Sequence, residues 1–328
     1  MLPNEVRRIK LASLEEAYSI EYDDIIDAEL AYDLYWARVI FSKSAFECPS
    51  EFCEAKVTCV NMDAEKQDMQ QSPHFRGYNH SVECDATIGK KPKVSAGSKY
   101  EPSASKIVKS DQKSDIFNLH RPHNQFAKKD KGDRDKSKKR AINSRRPHVQ
   151  GEHEIKTGSD YYAVRSLVTK FIRHRKDETL SEHYVNINGK DISYRDLFKG
   201  IYNQPLEALP DEKRIYWGVA YLNHMPDKGT YRIGFQNEIQ HANNNIKPSF
   251  FISEKQIDAY PVNNLVTKRL TKISESKDKR AFVFLYSKPY AKGSNYINFD
   301  VDSLDYLEIR YLDLFDELKK TNLGHPPV

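Results

Sequence analysis

Between Gly89 and about Gly158 the chain has almost no apolar periodicity, and that stretch governs how everything on either side of it can fold. Lys, Ser, Asp, Asn and Pro dominate it, in runs such as KKDKGDRDKSKKRAINSRR. Ordering one backbone residue costs about 1–2 kcal/mol, and a segment with so little apolar surface cannot offset that cost. It reads as a disordered basic linker over residues 89–158. The flanking modules are then 1–88 and 159–328, a division that suits a chain of 328 residues. One short island inside the linker, Ile116-Phe117-Asn118-Leu119, is apolar enough to dock onto something.

The charge follows the same division. Residues 1–89 hold 8 Lys/Arg against 17 Asp/Glu, residues 90–156 hold 19 against 8, and residues 157–328 hold 25 against 22. The net charge of +5 thus conceals an acidic head and a basic middle. A basic segment of this kind neutralises phosphates and releases counterions, which gives nucleic-acid affinity without sequence choice. Its candidate contacts are Lys128, Lys129, Lys131, Lys138, Lys139, Arg140, Arg145 and Arg146, with Arg173 and Arg175 on a later helix. A solvated spacer is the plainer reading of the same lysines. The longest apolar runs, such as Phe282–Tyr286, fall far short of the roughly 20 residues that span a bilayer. The opening MLPNEVRRIKLASLEEAYS carries no apolar core of signal-peptide length. The expectation is a cytoplasmic protein with no membrane partner.

All four cysteines, Cys48, Cys53, Cys59 and Cys84, lie within 37 residues. A disulfide scaffold would be spread more widely, so the clustering points to metal. Tetrahedral zinc takes four thiolate or imidazole ligands, commonly from two closely spaced pairs. Cys48 and Cys53 form one pair in C-x4-C spacing, and His80 and Cys84 form the other in H-x3-C spacing, across a 26-residue interval. His74 and Cys59 are the alternates: Cys59 reads as a small core thiol in a strand, and His74 as an auxiliary group. Four protein ligands leave no open position, so the expected zinc is structural and not catalytic.

The residues Phe46, Cys48, Pro49, Cys53, Pro73, His74, Phe75, Arg76, His80 and Cys84 together resemble the N-terminal zinc-binding segment of competence-protein CoiA-like proteins. The resemblance covers about residues 46–84. It implies a bacterial source, a role in DNA uptake or antiphage defence, and, in the family, a following restriction-endonuclease-like domain. A nuclease of that class needs an acidic residue and a Glu-x-Lys on a hydrophobic strand. Glu154-Ile155-Lys156 falls in the linker and Glu275-Ser276-Lys277 ends a helix. Asp300, Asp302, Asp305 and Glu308 have no lysine placed among them. The resemblance is therefore read as confined to the zinc segment.

Elsewhere, Ile26, Leu30 and Leu34 at four-residue spacing predict a helix over residues 14–40. Val164, Leu167, Val168 and Phe171 form one stripe of a second helix. Asn188-Gly189 predicts a tight hairpin between two short strands, feeding a helix YRDLFKGIYN. Strands are then expected at 215–225, 230–239, 249–257, 280–290, 295–301 and 304–312, with a helix at 263–276. Trp217, Val219 and Tyr221 on one side of a strand, and Tyr216 and Leu222 on the other, predict a sheet covered on both faces or curled on itself. The fold class is α+β: a helix plus zinc ribbon, the linker, and a C-terminal small mixed barrel, OB-like in its strand count, or a twisted antiparallel sheet on helices.

No phosphate-binding glycine loop and no GxSxG elbow occurs in the sequence. His174, His183 and His224 are scattered and read as satisfied or surface histidines. Tyr216, Tyr231, Phe251, Tyr286 and Tyr290 lie on strands with Lys or Arg nearby, a pattern that serves either a core or a base-stacking surface. The expected function is zinc-containing nucleic-acid binding, to DNA or RNA. A protein-interaction adaptor is the alternative, and a divergent metal-dependent nuclease the third reading.

Overall fold

A computed structural model of the chain describes residues 9–14, 16–50, 53–65, 73–81, 84, 114–121, 125–126 and 160–312. The chain divides into two compact units, residues 1–111 with 123–155, and residues 112–122 with 156–328. No helix among the described residues is long and apolar enough to cross a membrane.

The first unit contains strands β1 (Ile9–Leu14), β2 (Glu16–Ser19) and β3 (Asp24–Asp27), helix α1 (Ala28–Trp36), and strands β4 (Phe46–Glu47), β5 (Lys56–Val60) and β6 (His74–His80). They form one six-stranded sheet in the order β1-β6-β5-β4-β2-β3. β1 pairs with β6, and β2, one residue further along, pairs with β4. Both edges of the β4-β5-β6 meander are therefore held by one stretch of chain, which requires the sheet to curl. The curl encloses a core containing Ala17, Ile26, Leu34, Phe46, Val57 and Phe75.

A single helix over 14–40 is not what forms. The four-residue spacing survives only at Leu30 and Leu34, and residues 16–27 become a hairpin. Aspartates punctuate the segment. Asp23 takes a left-handed φ of 61° and accepts a 2.6 Å hydrogen bond from the Tyr18 hydroxyl. Asp27 caps α1 by accepting the Leu30 N–H at 2.7 Å. Short acidic side chains that bond to neighbouring groups compete with helix interior and favour turns and caps. The N-terminal unit is thus a curled sheet carrying one short helix.

The second unit opens with β7 (Asp115–Phe117), β8 (Asp160–Tyr161), α2 (Val164–Lys176), β9 (Tyr184–Ile187), β10 (Lys190–Ser193), α3 (Tyr194–Leu197), β11 (Phe198–Gly200) and β12 (Gln204–Pro205). It continues with β13 (Arg214–Met225), β14 (Thr230–Phe235), β15 (Ile239–His241), β16 (Asn244–Ile246), β17 (Ser249–Ser253), α4 (Glu254–Asp258) and α5 (Asn263–Ser274). The last elements are β18 (Arg280–Ser287), β19 (Pro289–Lys292), β20 (Tyr296–Phe299) and β21 (Leu307–Arg310). Helix α3 covers only the start of YRDLFKGIYN, because Phe198 turns extended and enters β11.

Eight strands form the main sheet, in the order β19-β20-β17-β14-β13-β18-β21 with β11 added in parallel to β13. Its strand β13 separates two cores. Tyr216, Ala220 and Leu222 face one, together with Val283 and Leu285 of β18 and Leu270 and Ile273 of α5. Ile215 and Trp217 face the other, with Phe282 and Phe284 of β18 and Leu167, Val168 and Phe171 of α2. The period-2 alternation of two apolar sets on each strand is what allows helices to pack on both faces. With β19 and β21 at its ends, the described sheet is open, and its eight strands exceed the five-stranded course of an oligonucleotide-binding fold. The predicted hairpin forms between β9 and β10, with Asn188 and Gly189 at φ 52° and 82°.

The apolar island at 116–119 is part of this unit. β7 lies between β8 and β9, parallel to both, and Phe117 is 1% exposed against the rings of Tyr286 and Tyr306. Polar contacts fix its ends. Asp115 accepts from Lys170 Nζ at 2.6 Å and from the Tyr194 hydroxyl at 2.8 Å. Arg121 donates twice to Asp305, at 2.6 and 3.1 Å, and the Tyr306 hydroxyl donates to the Leu119 carbonyl at 2.6 Å. Residues 114–121, read from composition as linker, are therefore strand and anchored turn.

Candidate metal centre

The antiparallel register of β5 and β6 decides which residues meet. Lys56 at the start of β5 faces Tyr78 near the end of β6, so the loop before β5 and the chain leaving β6 lie at the same end of the sheet. The β4–β5 loop doubles back there: the Cys48 N–H donates to the Ala55 carbonyl at 2.9 Å, and the Cys53 N–H to the Ser50 carbonyl at 3.3 Å. Beyond β6 the Cys84 N–H donates to the Ser81 carbonyl at 3.2 Å. These two turns bring the Cys48/Cys53 pair and the His80/Cys84 pair face to face.

The ligand atoms of Cys48, Cys53, His80 and Cys84 all lie within 4.8 Å of one another, and all four residues are buried. Cys48 Sγ is 3.5 Å from Cys84 Sγ, and His80 Nδ1 is 3.3 Å from Cys53 Sγ and 3.4 Å from Cys84 Sγ. A tetrahedral zinc bound at about 2.3 Å to sulfur and about 2.0–2.1 Å to nitrogen has edges of about 3.8 Å between sulfurs and about 3.5 Å between sulfur and nitrogen. The measured edges agree to within a few tenths of an ångström, so three thiols and one imidazole here can hold a metal ion. All four cysteines are free thiols.

Burial sets the protonation chemistry. It pushes the Cys48 thiol up and the His80 imidazole down. For Cys53 burial acts upward too, but the backbone N–H groups of Ser81 and Ala55 and the Cys84 side chain outweigh it and hold the thiol below its usual range. A neutral imidazole and one readily ionised thiol are the forms a metal ion takes as ligands.

Two residues that the spacing did not single out place the histidine. Phe75 and Gly77 of β6 are buried, and strict alternation would bury Asn79 next; instead Asn79 is exposed and His80 is buried. Asn79 has a left-handed φ of 58°, which shifts the strand's phase by one residue and turns His80 inward. Asn tolerates that conformation better than most residues. The Nε2 end of the imidazole then closes on Gly77, where an added Cβ would sit 2.0 Å from Nε2 and 2.7 Å from Cε1. Nε2 makes no hydrogen bond among the described residues, which leaves Nδ1 as the ring's ligand atom. A glycine three residues before the histidine and an asparagine directly before it, inside HFRGYNH, were the available clues.

The alternates fall elsewhere. Cys59 is fully buried in β5, opposite Phe75, and burial raises its thiol strongly. His74 stands at the opposite end of β6 from His80, opposite Val60, roughly 20 Å away at 3.3 Å per residue.

The proposed nucleic-acid contacts divide. Lys128, Lys129, Lys131, Lys138, Lys139, Arg140, Arg145 and Arg146 lie outside the described residues, as does Glu154-Ile155-Lys156. On α2, Arg173 is exposed, but Arg175 is 8% exposed with its guanidinium 5.3 Å from the Trp217 ring centre. Arg175 thus packs against the Trp217 ring. Arg165 is buried as well, and Lys170 is held by Asp115. On α5, Arg269 is buried against Glu308 at 2.9 Å. Among the aromatics, Tyr216, Tyr231 and Tyr286 are core, whereas Phe251 and Tyr290 are exposed.

The scattered carboxylates are engaged. Glu308 binds Arg269 and Arg310, Asp305 binds Arg121 and Tyr260, Asp302 binds Lys213, and Asp300 accepts from Tyr290. His224 stacks on Tyr231 and bonds Glu254 at 2.7 Å, and His174 stacks on His183 at 3.7 Å. Comparison with family models, with curated proteins and with solved structures finds no match for the chain.

Proposed function

We propose that the chain is a zinc-stabilised nucleic-acid-binding protein. The observation that carries the metal half is the buried Cys48, Cys53, His80 and Cys84 quartet, three of whose edges, at 3.3–3.5 Å, suit a tetrahedral ion. Three thiols with one imidazole favour zinc among the abundant divalent metals, and four protein ligands make it a structural ion. Thiols kept as ligands suit a reducing compartment such as the cytoplasm. The nucleic-acid half rests on the charge of residues 90–156, where 19 Lys/Arg stand against 8 Asp/Glu. The resemblance to CoiA-like proteins makes DNA handling in uptake or defence the setting proposed for this binding.

Purified full-length protein tests both halves. Zinc should be present at one per chain, and Cys84→Ser should remove it and lower the melting temperature of the first unit. Binding of labelled oligonucleotides should weaken steeply between low and physiological salt, and charge reversal of Lys138, Lys139 and Arg140 should flatten that dependence. Unchanged zinc in Cys84→Ser overturns the ligand set. No binding at low salt overturns the nucleic-acid reading and moves the protein to the adaptor class.

A further inference from the structure

Among the described residues, the main sheet of the second unit is covered on both faces only along part of its width. On the α2 side the cover ends at Val219 and Phe282. Beyond them the outward residues of β13, β14, β17, β20 and β19 are Tyr221 and Asn223, Arg232 and Gly234, Ser249 and Phe251, Tyr296 and Asn298, and Tyr290 and Lys292. The inward residues of the same strands (Leu222, Ile233, Phe250, Ile297) belong to the core on the α5 side, so the alternation fixes which set faces out.

Large aromatic side chains stand on this open face. Phe251 is 49% exposed, Tyr290 41% and Tyr221 40%. The register sets them apart in a regular way. Tyr221 faces Gly234, which faces Ser249, which faces Asn298, which faces Tyr290. That row runs from one aromatic through small and polar side chains to another. In the next row Phe251 faces Arg232, which faces Asn223. Phe251 therefore stands between the two tyrosines, two strands and one pleat from each, roughly 12 Å by standard strand spacings.

The charge on the face favours an anion. Of its carboxylates, Asp278 lies 3.6 Å from Arg280, and Asp300 accepts the Tyr290 hydroxyl at 3.0 Å and keeps its charge, against the cations Arg232, Arg280 and Lys292. Arg232 and Lys292 are exposed and make no ion pair among the described residues. Arg232 sits directly across from Phe251, so a ring that offers its face to a base has a guanidinium beside it for the adjoining phosphate. Gly234 and Ser249, the latter only 7% exposed beneath its neighbours, form a low floor between the rings. A duplex hides its base faces within the stack, whereas a single strand can lay them on exposed rings beside a cationic track.

We infer that the open face of β13, β14, β17, β20 and β19 is a stacking platform for single-stranded nucleic acid, with Phe251, Tyr221 and Tyr290 as base platforms and Arg232 and Lys292 as phosphate contacts. This rests on the nucleic-acid reading above and assigns it a surface distinct from the basic segment. The test uses the full-length protein with a fluorescent 20-residue oligothymidylate and a 20-base-pair duplex. Phe251→Ala should weaken the single strand by at least about five-fold, the low end of what one stacked base contributes, and leave the duplex unchanged. Adding Tyr221→Ala should weaken the single strand further. Circular dichroism and melting of the variants should match the parent, since both rings are surface. Photocrosslinking from 4-thiothymidine in the oligonucleotide should label the peptides containing Phe251 or Tyr290. If the parent binds both nucleic acids and the variants bind single strands equally well, with crosslinks confined to residues 90–156, the platform is refuted while the nucleic-acid reading stands. If the parent binds neither, both fall. A protein partner lost from the variants in that case would identify the face as a protein-docking surface.

Discussion

Gly77→Ala separates the metal reading from the fold that carries it. The added methyl would lie 2.0 Å from His80 Nε2. Ordinary van der Waals contact begins near 3.5 Å, so the ring must retreat by about 1.5 Å. Metal–ligand bonds hold their length to about 0.2 Å, so a displaced imidazole cannot remain a ligand. Disturbing only the groups that orient a ligand typically weakens metal binding 10- to 100-fold, and losing His80 outright should exceed about 100-fold. In the metal-free protein the ring must give way as well: it is fully buried, with Nδ1 3.3 Å from Cys53 Sγ and 3.4 Å from Cys84 Sγ. The expected cost there is about 1–3 kcal/mol, that of an extra methyl forced into a packed site. The assay is chelator competition for zinc affinity, together with melting of the protein with and without zinc. Gly77→Ala should melt somewhat below the parent when both are stripped, and should in addition lose the increment that zinc gives the parent. Zinc affinity within three-fold of the parent would refute the placement of His80 as a ligand. Asn79→Gly, which keeps the left-handed backbone, should retain zinc, whereas Asn79→Val should lose it.

Phe117→Ala should destabilise the second unit by about 3–5 kcal/mol in urea unfolding, as for a fully buried aromatic; a loss under 1 kcal/mol would place β7 outside the core. Asp305→Asn removes the carboxylate that Arg121 binds and should cost about 3 kcal/mol in urea unfolding, the low end for breaking a buried pair. Unchanged stability would refute that anchor. His174 is held down to about 4 by burial, then by the neighbouring His183 and the Arg173 charge. Its folded value lies below its unfolded value near 6.5, so the stability it contributes is complete above pH 6.5 and is lost as pH falls toward 4. The slope should reach about 1.4 kcal/mol per pH unit in that window. His174→Asn should be flatter by that amount in urea unfolding at pH 7 and 5; parallel pH profiles would refute it.

The metal quartet was legible in the sequence because its pairs are local: C-x4-C and H-x3-C each fit within one turn of chain. The hairpin at Asn188-Gly189 was legible for the same reason. What escaped was set by distant partners or by phase. Asn79 moves His80 to the buried face through a backbone angle that no periodicity announces. The spacing of Ile26, Leu30 and Leu34 suggested one long helix, yet Ile26 is a strand residue and only the other two share a helix. Arg175 read as an exposed contact, but it is buried against Trp217, remote in sequence; Arg165 and Arg269 are buried as well, the latter against Glu308. Segment 114–121 is polar in its surroundings and apolar in only a few side chains. A three-residue strand inserted in parallel between two others needs no more than that.

The position of β7 also sets a timetable for synthesis. Cys84 belongs to the first unit, residues 115–121 to the second, Gln125 to the first again through the Tyr22 hydroxyl, and everything from residue 160 to the second. β7 leaves the ribosome before either strand that flanks it, and β9 ends at Ile187. At translation rates of about 5–20 residues per second, roughly 4–14 seconds pass between Phe117 and Ile187. The growing chain must therefore complete the curled N-terminal sheet on its own, holding metal or not, while the middle strand of a later sheet waits unpaired. A strand of three residues exposes little apolar surface during that interval. The arrangement also means that expression of residues 159–328 alone yields a sheet missing its inner strand.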